Sequence, residues 1–261
     1  MIFTGIDIGS VTSKAVIINE HEEIVAFSLI PTGYDRQKSG TEVLNLVLEE
    51  SRNSEDDIQY IVSTGYGRRA FSSSNKALPE IVCHAKGTKY LFPTVRTIID
   101  IGGQDSKVMQ LDKEGLVIKF EMNDKCAAGT GRFLEVLTER ILNLHIEELG
   151  PLSLKSINPC ILSSICTVFA ESEIISLLTE NKAKEDIAFG INKAIARRVI
   201  GMGTAGQISY NDLIVFSGGV ARNIGVVKAL EEELGKRIVT PEEPQITAAL
   251  GAAIFAKDQF K

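Results

Sequence analysis

The chain has 261 residues, of which 44% are hydrophobic, and a formal net charge of −6. This length allows one large domain or two small ones, and the hydrophobic content excludes a disordered chain. No apolar run is long enough to span a bilayer, no charged leader opens the chain, and no block of Lys or Arg stands out. We therefore expect a cytoplasmic protein whose partners are neither membranes nor nucleic acids.

A repeat opens both halves of the chain. Residues 4–14 and residues 97–107 (97 − 4 = 93 positions later) share Thr, Ile, Asp, Ile, Gly, Ser and Lys at matching places. Each copy is followed by an apolar stretch, a polar turn and a second apolar stretch that ends at Phe27 or Phe120. This pattern predicts a strand, a Gly-bearing turn, a strand, a polar hairpin and a third strand in each half. The chain is predicted to be a duplication.

The remaining elements alternate between helices and short strands. Apolar residues at helical spacing indicate helices, and short apolar runs that end in glycine turns indicate strands. In chain order we predict a helix at 41–51, a strand at 58–63 with a turn at 64–68, helices at 130–145, 174–179 and 187–201, a strand at 213–216, and helices at 224–234 and 245–257. Strands that alternate with helices indicate an α/β protein.

Both copies of the repeat carry an Asp-Ile-Gly turn, at residues 7–9 and 100–102. Backbone N–H groups at a tight glycine turn can point at phosphate oxygens, and an Asp at a strand end can hold Mg²⁺ through water. One copy alone would be an ordinary strand end, but two copies and a third Gly-rich turn at 217–223 favour a phosphate clamp. No G-x-x-x-x-G-K-[ST] is present, so this is not a P-loop protein.

The predicted ATP site draws on all three turns. Its residues are Ser10, Val11, Thr12, Ser13 and Lys14, then Asp100, Gly102, Gly103 and Gln104, then Gly218, Gly219 and Ala221. Asp7 or Asp105 is predicted to arrange Mg²⁺ and water, and the sequence leaves open which one does so. The arrangement resembles the superfamily of sugar kinases, actin and heat-shock chaperone ATPases. That resemblance implies two duplicated ribonuclease-H-like domains with ATP in a cleft between them.

We place the first ATPase domain at residues 1–94, to which the C-terminal helix at 241–261 returns. The second domain covers residues 95–240. No low-complexity linker separates the two, which favours halves that form a cleft over separate beads.

The four cysteines, Cys83, Cys126, Cys160 and Cys166, form no CxxC, which excludes a zinc ribbon and a thioredoxin-like site. Cys126 and Cys166 each precede a helical stretch, where the helix dipole favours thiolate, the form that ligates soft metal centres. Two such thiols supply half of a cubane iron–sulfur site, and a twofold dimer would complete it. Spacing alone leaves open buried structural thiols, a shared cluster and a catalytic thiol.

Seven segments follow one another in order along nearly the whole chain: D-I-G-S-x-x-S-K, T-G-Y-G-R, C-H-A-K-G, I-D-I-G-G-Q-D, N-D-K-C-A-A-G-T-G-R-F, C-T-V-F-A-E-S-E and G-G-V-A-R-N. They resemble the ATPase activators of 2-hydroxyacyl-CoA dehydratases and, less closely, the ATPase subunits of benzoyl-CoA reductases. The resemblance implies a homodimer bridged by one [4Fe–4S] cluster, with Cys126 and Cys166 as its ligands. Cys83 and Cys160 are then packing residues. Ile165 stands where the family pattern has Thr. This difference would alter the residues around the cluster but not the ligands that hold it.

The function implied is that of an ATP-hydrolysing reductase in an anaerobic setting. It would pass single low-potential electrons from ferredoxin or flavodoxin to a 2-hydroxyacyl-CoA dehydratase or a related double-cluster enzyme. Glu171, on the helix after the second cysteine, would couple the cluster to the nucleotide. Two alternatives stay open: a small-molecule kinase of the N-acetylhexosamine type, which needs a substrate pocket and no cluster, and an actin-like assembly protein.

Overall fold

The computed structural model describes residues 1–162 and 166–260, so that Ile165 lies outside the described residues. By contacts the chain divides into two compact units. The first consists of residues 1–96, 111–118 and 245–260, and the second of the described residues within 97–110 and 119–244. In the described part of the chain, no helix has the length and apolar character needed to cross a membrane.

The structure contains ten strands and eight α-helices in its described residues. The strands are β1 (Ile2–Ile8), β2 (Thr12–Asn19), β3 (Ile24–Pro31), β4 (Ile58–Thr64), β5 (Lys76–Ala77), β6 (Thr97–Ile101), β7 (Ser106–Leu111), β8 (Val117–Asn123), β9 (Ile214–Ser217) and β10 (Ile238–Val239). The helices are α1 (Arg36–Ser51), α2 (Glu80–Leu91), α3 (Gly131–Glu135), α4 (Ile146–Ser153), α5 (Thr167–Thr179), α6 (Lys184–Ala205), α7 (Ile224–Leu234) and α8 (Thr247–Phe260). A π-helical segment, Val136–Leu142, continues α3.

The two sheets have the same topology. The first has the strand order β3-β2-β1-β4-β5 and the second the order β8-β7-β6-β9-β10. In each sheet the first strand of the repeat pairs antiparallel with the next strand and parallel with the fourth. The predicted duplication and the α/β class are thereby confirmed.

Helices cover both faces of the first sheet, because its central strands are apolar on both sides. Ile6 and Ile8 of β1 belong to a core shared with α1, whereas Phe3 of the same strand belongs to a core shared with α8. Alternate residues of a strand point to opposite faces, which explains why one strand contributes to two cores. Gly5 allows α8 to come close, since a Cβ there would lie 2.0 Å from the carbonyl oxygen of Ala249.

Several helices differ from their predicted bounds for local reasons. Helix α1 begins at Arg36 and not at residue 41, because the side chain of Asp35 accepts a hydrogen bond from the Lys38 amide and caps it. Helix α5 begins at Thr167, directly after Cys166. The helix predicted at 130–145 changes from α to π geometry after Glu135 and ends at Leu142, where Asn143 adopts a positive φ.

Candidate functional site

The first Asp turn lies at the end of β1. Asp7 is buried, and its Oδ2 atom lies 3.0 Å from Nζ of Lys14, its cross-strand neighbour. Its Oδ1 atom is also buried and accepts no hydrogen bond from the described residues. Gly65, which follows β4, has a φ of +84°, and a Cβ there would lie 2.3 Å from Asp7 Oδ1. Only glycine therefore fits beside this carboxylate.

The second Asp turn repeats this geometry in the other unit. Asp100 pairs across the strands with Lys107 and lies opposite Ser217 of the parallel strand β9. Gly218, which follows β9, has a φ of +84°, and a Cβ there would lie 2.6 Å from Asp100 Oδ1 and 2.4 Å from the Ile101 carbonyl oxygen. Each unit thus has a buried Asp, a Lys across from it on the next strand, and a glycine at a position where any side chain would clash with the Asp carboxylate.

The second turn differs from the first by an additional carboxylate. Nζ of Lys107 lies 3.2 Å from Asp100 Oδ2 and 2.7 Å from Asp105 Oδ2. All three side chains are buried, with at most 7% of any of them exposed. Two buried carboxylates that share one ammonium group form an acidic site, and carboxylate oxygens are the ligands that Mg²⁺ prefers.

The residues around the first turn are not equally available to a ligand. The Ser13 hydroxyl is buried and lies 2.8 Å from the hydroxyl of Thr32. Ser10 and Thr12 are partly exposed and Val11 is exposed. In the second turn Gly102 and Gly103 are partly exposed and Gln104 is exposed. Both turns therefore carry partly or fully exposed residues beside buried polar side chains.

The third turn follows β9. Gly218 donates its N–H to Pro244, and Gly219–Arg222 forms a 3₁₀ turn in which Ala221 is buried. Asn223 then caps α7, since its Oδ1 accepts from the Gly225 amide at 2.9 Å.

The second turn is hydrogen-bonded directly to the start of α3. The carbonyl of Gly102 accepts a bond from the Gly131 amide at 2.8 Å, and that of Gly103 accepts one from the Arg132 amide at 2.9 Å. A Cβ at Gly131 would lie 3.3 Å from Val220 of the third turn, so the second and third turns both contact this helix start. Movement of either turn would therefore be transmitted to α3.

Cys126 lies in the loop that leads into α3, and Asn123 holds this loop in place. The Asn123 side chain donates to the carbonyls of Cys126 at 2.8 Å and Ala128 at 3.2 Å, and accepts from the Cys126 amide at 3.2 Å. Gly129 completes the loop with a φ of +87°. One side chain thus sets the position of the partly buried Cys126, through two hydrogen bonds with Cys126 and one with Ala128.

The two predicted ligand cysteines differ in their relation to the helices. Cys166 is the N-cap residue of α5 and is exposed, which agrees with the prediction of a thiol at a helix N-terminus. Cys126 also precedes a helical stretch, as predicted, but it lies five residues before Gly131, where α3 begins. The helix dipole acts mainly within the first turn of a helix. Cys126 lies outside that turn, in a loop that the side chain of Asn123 holds in place.

The other two cysteines pack in the interior. Cys83 is fully buried, and burial raises the pKa of its thiol to about 12. Cys160 is partly buried against the core of the second unit, and burial also raises the pKa of its thiol. Both thiols therefore stay protonated at neutral pH, as expected of packing residues.

Glu171 is partly buried on α5, which packs on the π-helical segment and α6. Within the described residues it makes no hydrogen bond or ion pair to any of the turns. Its predicted role in coupling thus stays a prediction.

The sequence analysis missed two contributors, Gly65 and Asn123. In each unit, the strand parallel to the one that carries the Asp ends in a hydroxyl residue followed by glycine: Thr64-Gly65 after β4 and Ser217-Gly218 after β9. This shared pattern is the signal that could have identified Gly65. Asn123 offered no comparable signal, because its role depends on the shape of the loop.

Comparisons with known proteins agree on one group. The model of the BadF/BadG/BcrA/BcrD ATPase family matches residues 4–256. The chain is 46% identical over 261 residues to the 2-hydroxyisocaproyl-CoA dehydratase activator of Clostridioides difficile, covering 98% of this chain and 95% of the relative. It is 45% identical over 253 residues to the activator of lactoyl-CoA dehydratase of Anaerotignum propionicum, covering 97% and 96%. Among solved structures, the activator of the 2-hydroxyisocaproyl-CoA dehydratase from Clostridium difficile with bound ADPNP matches with a TM-score of 0.93 and 45% identity, covering 100% of this chain and 96% of that one.

Proposed function

Because the chain belongs to the BadF/BadG/BcrA/BcrD ATPase family, we propose that it is the ATP-hydrolysing activator of a 2-hydroxyacyl-CoA dehydratase or a related double-cluster enzyme. It would deliver single low-potential electrons from ferredoxin or flavodoxin to that partner. The observation that carries the proposal is the pair of backbone hydrogen bonds that the Gly131 and Arg132 amides of α3 donate to the carbonyls of Gly102 and Gly103. These bonds join a candidate phosphate turn to the helix that follows a candidate cluster ligand.

The turns fit a magnesium nucleotide. The buried Oδ1 of Asp7 has no hydrogen-bond donor among the described residues, and glycines stand where a Cβ would fill the space beside Asp7 and Asp100. We propose that either Asp7 or Asp105 arranges Mg²⁺ through water, which would neutralise phosphate charge. The exposed backbones at Ser10–Thr12 and Gly102–Gln104 would bind phosphate oxygens, and the third turn would lie against the nucleoside. The ADPNP bound to the solved relative supports this assignment.

The cysteines fit a shared [4Fe–4S] cluster. Cys166 is exposed at the N-terminus of α5, and the partly buried Cys126 lies in the loop that leads into α3. When bound, such a cluster is a one-electron carrier of low potential. Two thiols per chain require a homodimer to complete the ligand set. The exposure of Val168 and Phe169 next to Cys166, at 66% and 68%, supports a second subunit covering this end of α5.

Coupling follows from the connections within the second unit. A change at the second turn when the γ-phosphate leaves would move the amides of Gly131 and Arg132, which are bonded to it. Because Asn123 ties the Cys126 loop to β8, the start of α3 would shift relative to the Cys126 position. We propose that the predicted domains, 1–94 with 241–261 and 95–240, are the two ATPase halves of this device.

An electron-transfer assay tests the proposal. The iron-loaded protein, reduced anaerobically, would be mixed with 2-hydroxyisocaproyl-CoA dehydratase or lactoyl-CoA dehydratase, and dehydration of the hydroxyacyl-CoA would be followed. Activation with ATP and none above background with ADPNP is the expected result, because transfer requires hydrolysis. Failure to activate either enzyme, together with ATP-dependent phosphorylation of an N-acetylhexosamine, would identify a kinase instead.

A further inference from the structure

A pocket of about 350 Å³ lies in the second unit beside the Cys126 loop. Its apolar lining comes from Met122 and Met202, and its polar lining includes Asn123, Lys125 and Arg198. Asn123 is also the residue that holds the Cys126 loop, through two hydrogen bonds to Cys126 and one to Ala128. The wall of the pocket is therefore continuous with the loop of the candidate ligand.

Arg198, on α6, packs directly against this loop. A Cβ at Gly129 would lie 2.9 Å from Cδ and 3.3 Å from Nε of Arg198. Gly129 thus has room for the arginine side chain only because it has none of its own. The guanidinium group comes to rest next to the backbone three residues after Cys126.

The charge of Arg198 has no protein counterpart in the described residues. Its neighbour on α6, Arg197, lies 2.9 Å from Glu233, and Lys193 lies 3.3 Å from Glu232. Arg198 forms no hydrogen bond or ion pair with a described residue, although its side chain is partly buried. A partly buried, unpaired guanidinium is unfavourable unless an anion lies near it. No Asp or Glu is among the residues that line the pocket.

We propose that Arg198 is the electrostatic partner of the cluster bound at Cys126 and sets its reduction potential, an inference that rests on the proposed function. A [4Fe–4S] centre with four thiolate ligands is an anion, and it becomes more negative by one charge when it accepts an electron from the donor. A fixed positive charge stabilises the reduced state more than the oxidised state.

Redox titration of three variants tests this inference. The iron-loaded protein would be titrated anaerobically, with the visible and electron paramagnetic resonance spectra as readouts. Arg198→Gln is expected to lower the ratio of reduced to oxidised cluster about tenfold at a fixed solution potential, a shift of about 59 mV for one electron. Arg198→Lys keeps the charge and is expected to titrate close to the wild type. Arg197→Gln, which removes an equal charge from the adjacent, exposed and paired residue, is the matched control.

The outcomes separate this inference from the proposed function. Equal potentials in Arg198→Gln and Arg197→Gln would overturn the inference and leave the proposed function intact. If Arg198→Gln lost its iron but still bound nucleotide, while Arg198→Lys kept its iron, the result would show that the cluster requires a positive charge at residue 198 and would support the inference. Loss of iron from both Arg198 variants would instead indicate a packing role and overturn the inference. A wild-type protein that binds no iron would overturn the proposed function itself, and the inference with it.

Discussion

Replacing Lys107 by methionine is expected to lower the free energy of unfolding by about 3–5 kcal/mol. Lys107 is 2% exposed and is the cation that lies between the buried carboxylates of Asp100 and Asp105. Its removal leaves two like charges together in the interior of the second unit, without the ammonium group that compensates them. Urea denaturation followed by circular dichroism would measure the change.

Lys38→Met provides the matched control for this experiment. Its side chain is 71% exposed and pairs with Glu42 at 3.7 Å on the surface of α1. Exposed pairs of this kind contribute about 0.3–0.5 kcal/mol. If Lys107→Met unfolded at the same urea concentration as Lys38→Met, the carboxylates would not depend on Lys107, and the description of the second turn would be wrong.

Replacing Gly218 by alanine is expected to reduce kcat/KM for ATP hydrolysis about 100-fold, which is the effect of displacing catalytic groups by about 1 Å. The new Cβ would lie 2.4 Å from the Ile101 carbonyl and 2.6 Å from Asp100 Oδ1, distances at which the turn must move. Gly65→Ala should act in the same way on the first turn, because its Cβ would lie 2.3 Å from Asp7 Oδ1. Steady-state phosphate release would measure both effects.

Gly235→Ala is the control that separates backbone strain at a positive φ from the clash of a new Cβ with its neighbours. Gly235 also has a positive φ, +62°, at the end of α7, but a Cβ there would meet no atom within 4 Å. Its replacement should destabilise the protein by about 1 kcal/mol through backbone strain while ATP hydrolysis is kept. Equal hydrolysis by Gly218→Ala and Gly235→Ala would show that the contact with Asp100 has no role in catalysis.

Much of the fold could be predicted from the sequence because the repeat carries residues that pair with each other. Asp7 with Lys14 and Asp100 with Lys107 are cross-strand neighbours, so the repeated residues record the same strand register twice. The actin-like α/β fold predicted from this duplication is confirmed by the two equivalent sheets and by the solved relative.

Gly65 could not be found by the same repeat. The equivalent glycine, Gly218, lies 153 positions later (218 − 65 = 153) and not 93, because α3 to α6 lie between β8 and β9, where the first half has only α1 between β3 and β4. Only the parallel pairing of β4 with β1 and of β9 with β6 shows that the two glycines correspond.

Helix α2 and the Cys126 loop were beyond sequence reasoning for different physical reasons. The packing face of α2 consists of small residues: a Cβ at Gly87 would lie 2.0 Å from the Thr247 carbonyl, which is too close for any larger side chain. Small residues give little contrast in hydrophobicity, so no periodic pattern appears. In the Cys126 loop, the hydrogen bonds of Asn123 and the contact of Gly129 with Arg198 depend on chain segments that are remote in sequence.

The iron content of the protein tests the central claim most directly. After anaerobic purification, we expect about four irons per dimer and a brown colour from sulfur-to-iron charge transfer, the stoichiometry of one shared cubane cluster. Cys126→Ser and Cys166→Ser should both lose the iron and the colour, whereas Cys160→Ser, which changes a packing thiol of the same unit, should keep them. A colourless, iron-free wild-type protein that still hydrolyses ATP would contradict the account.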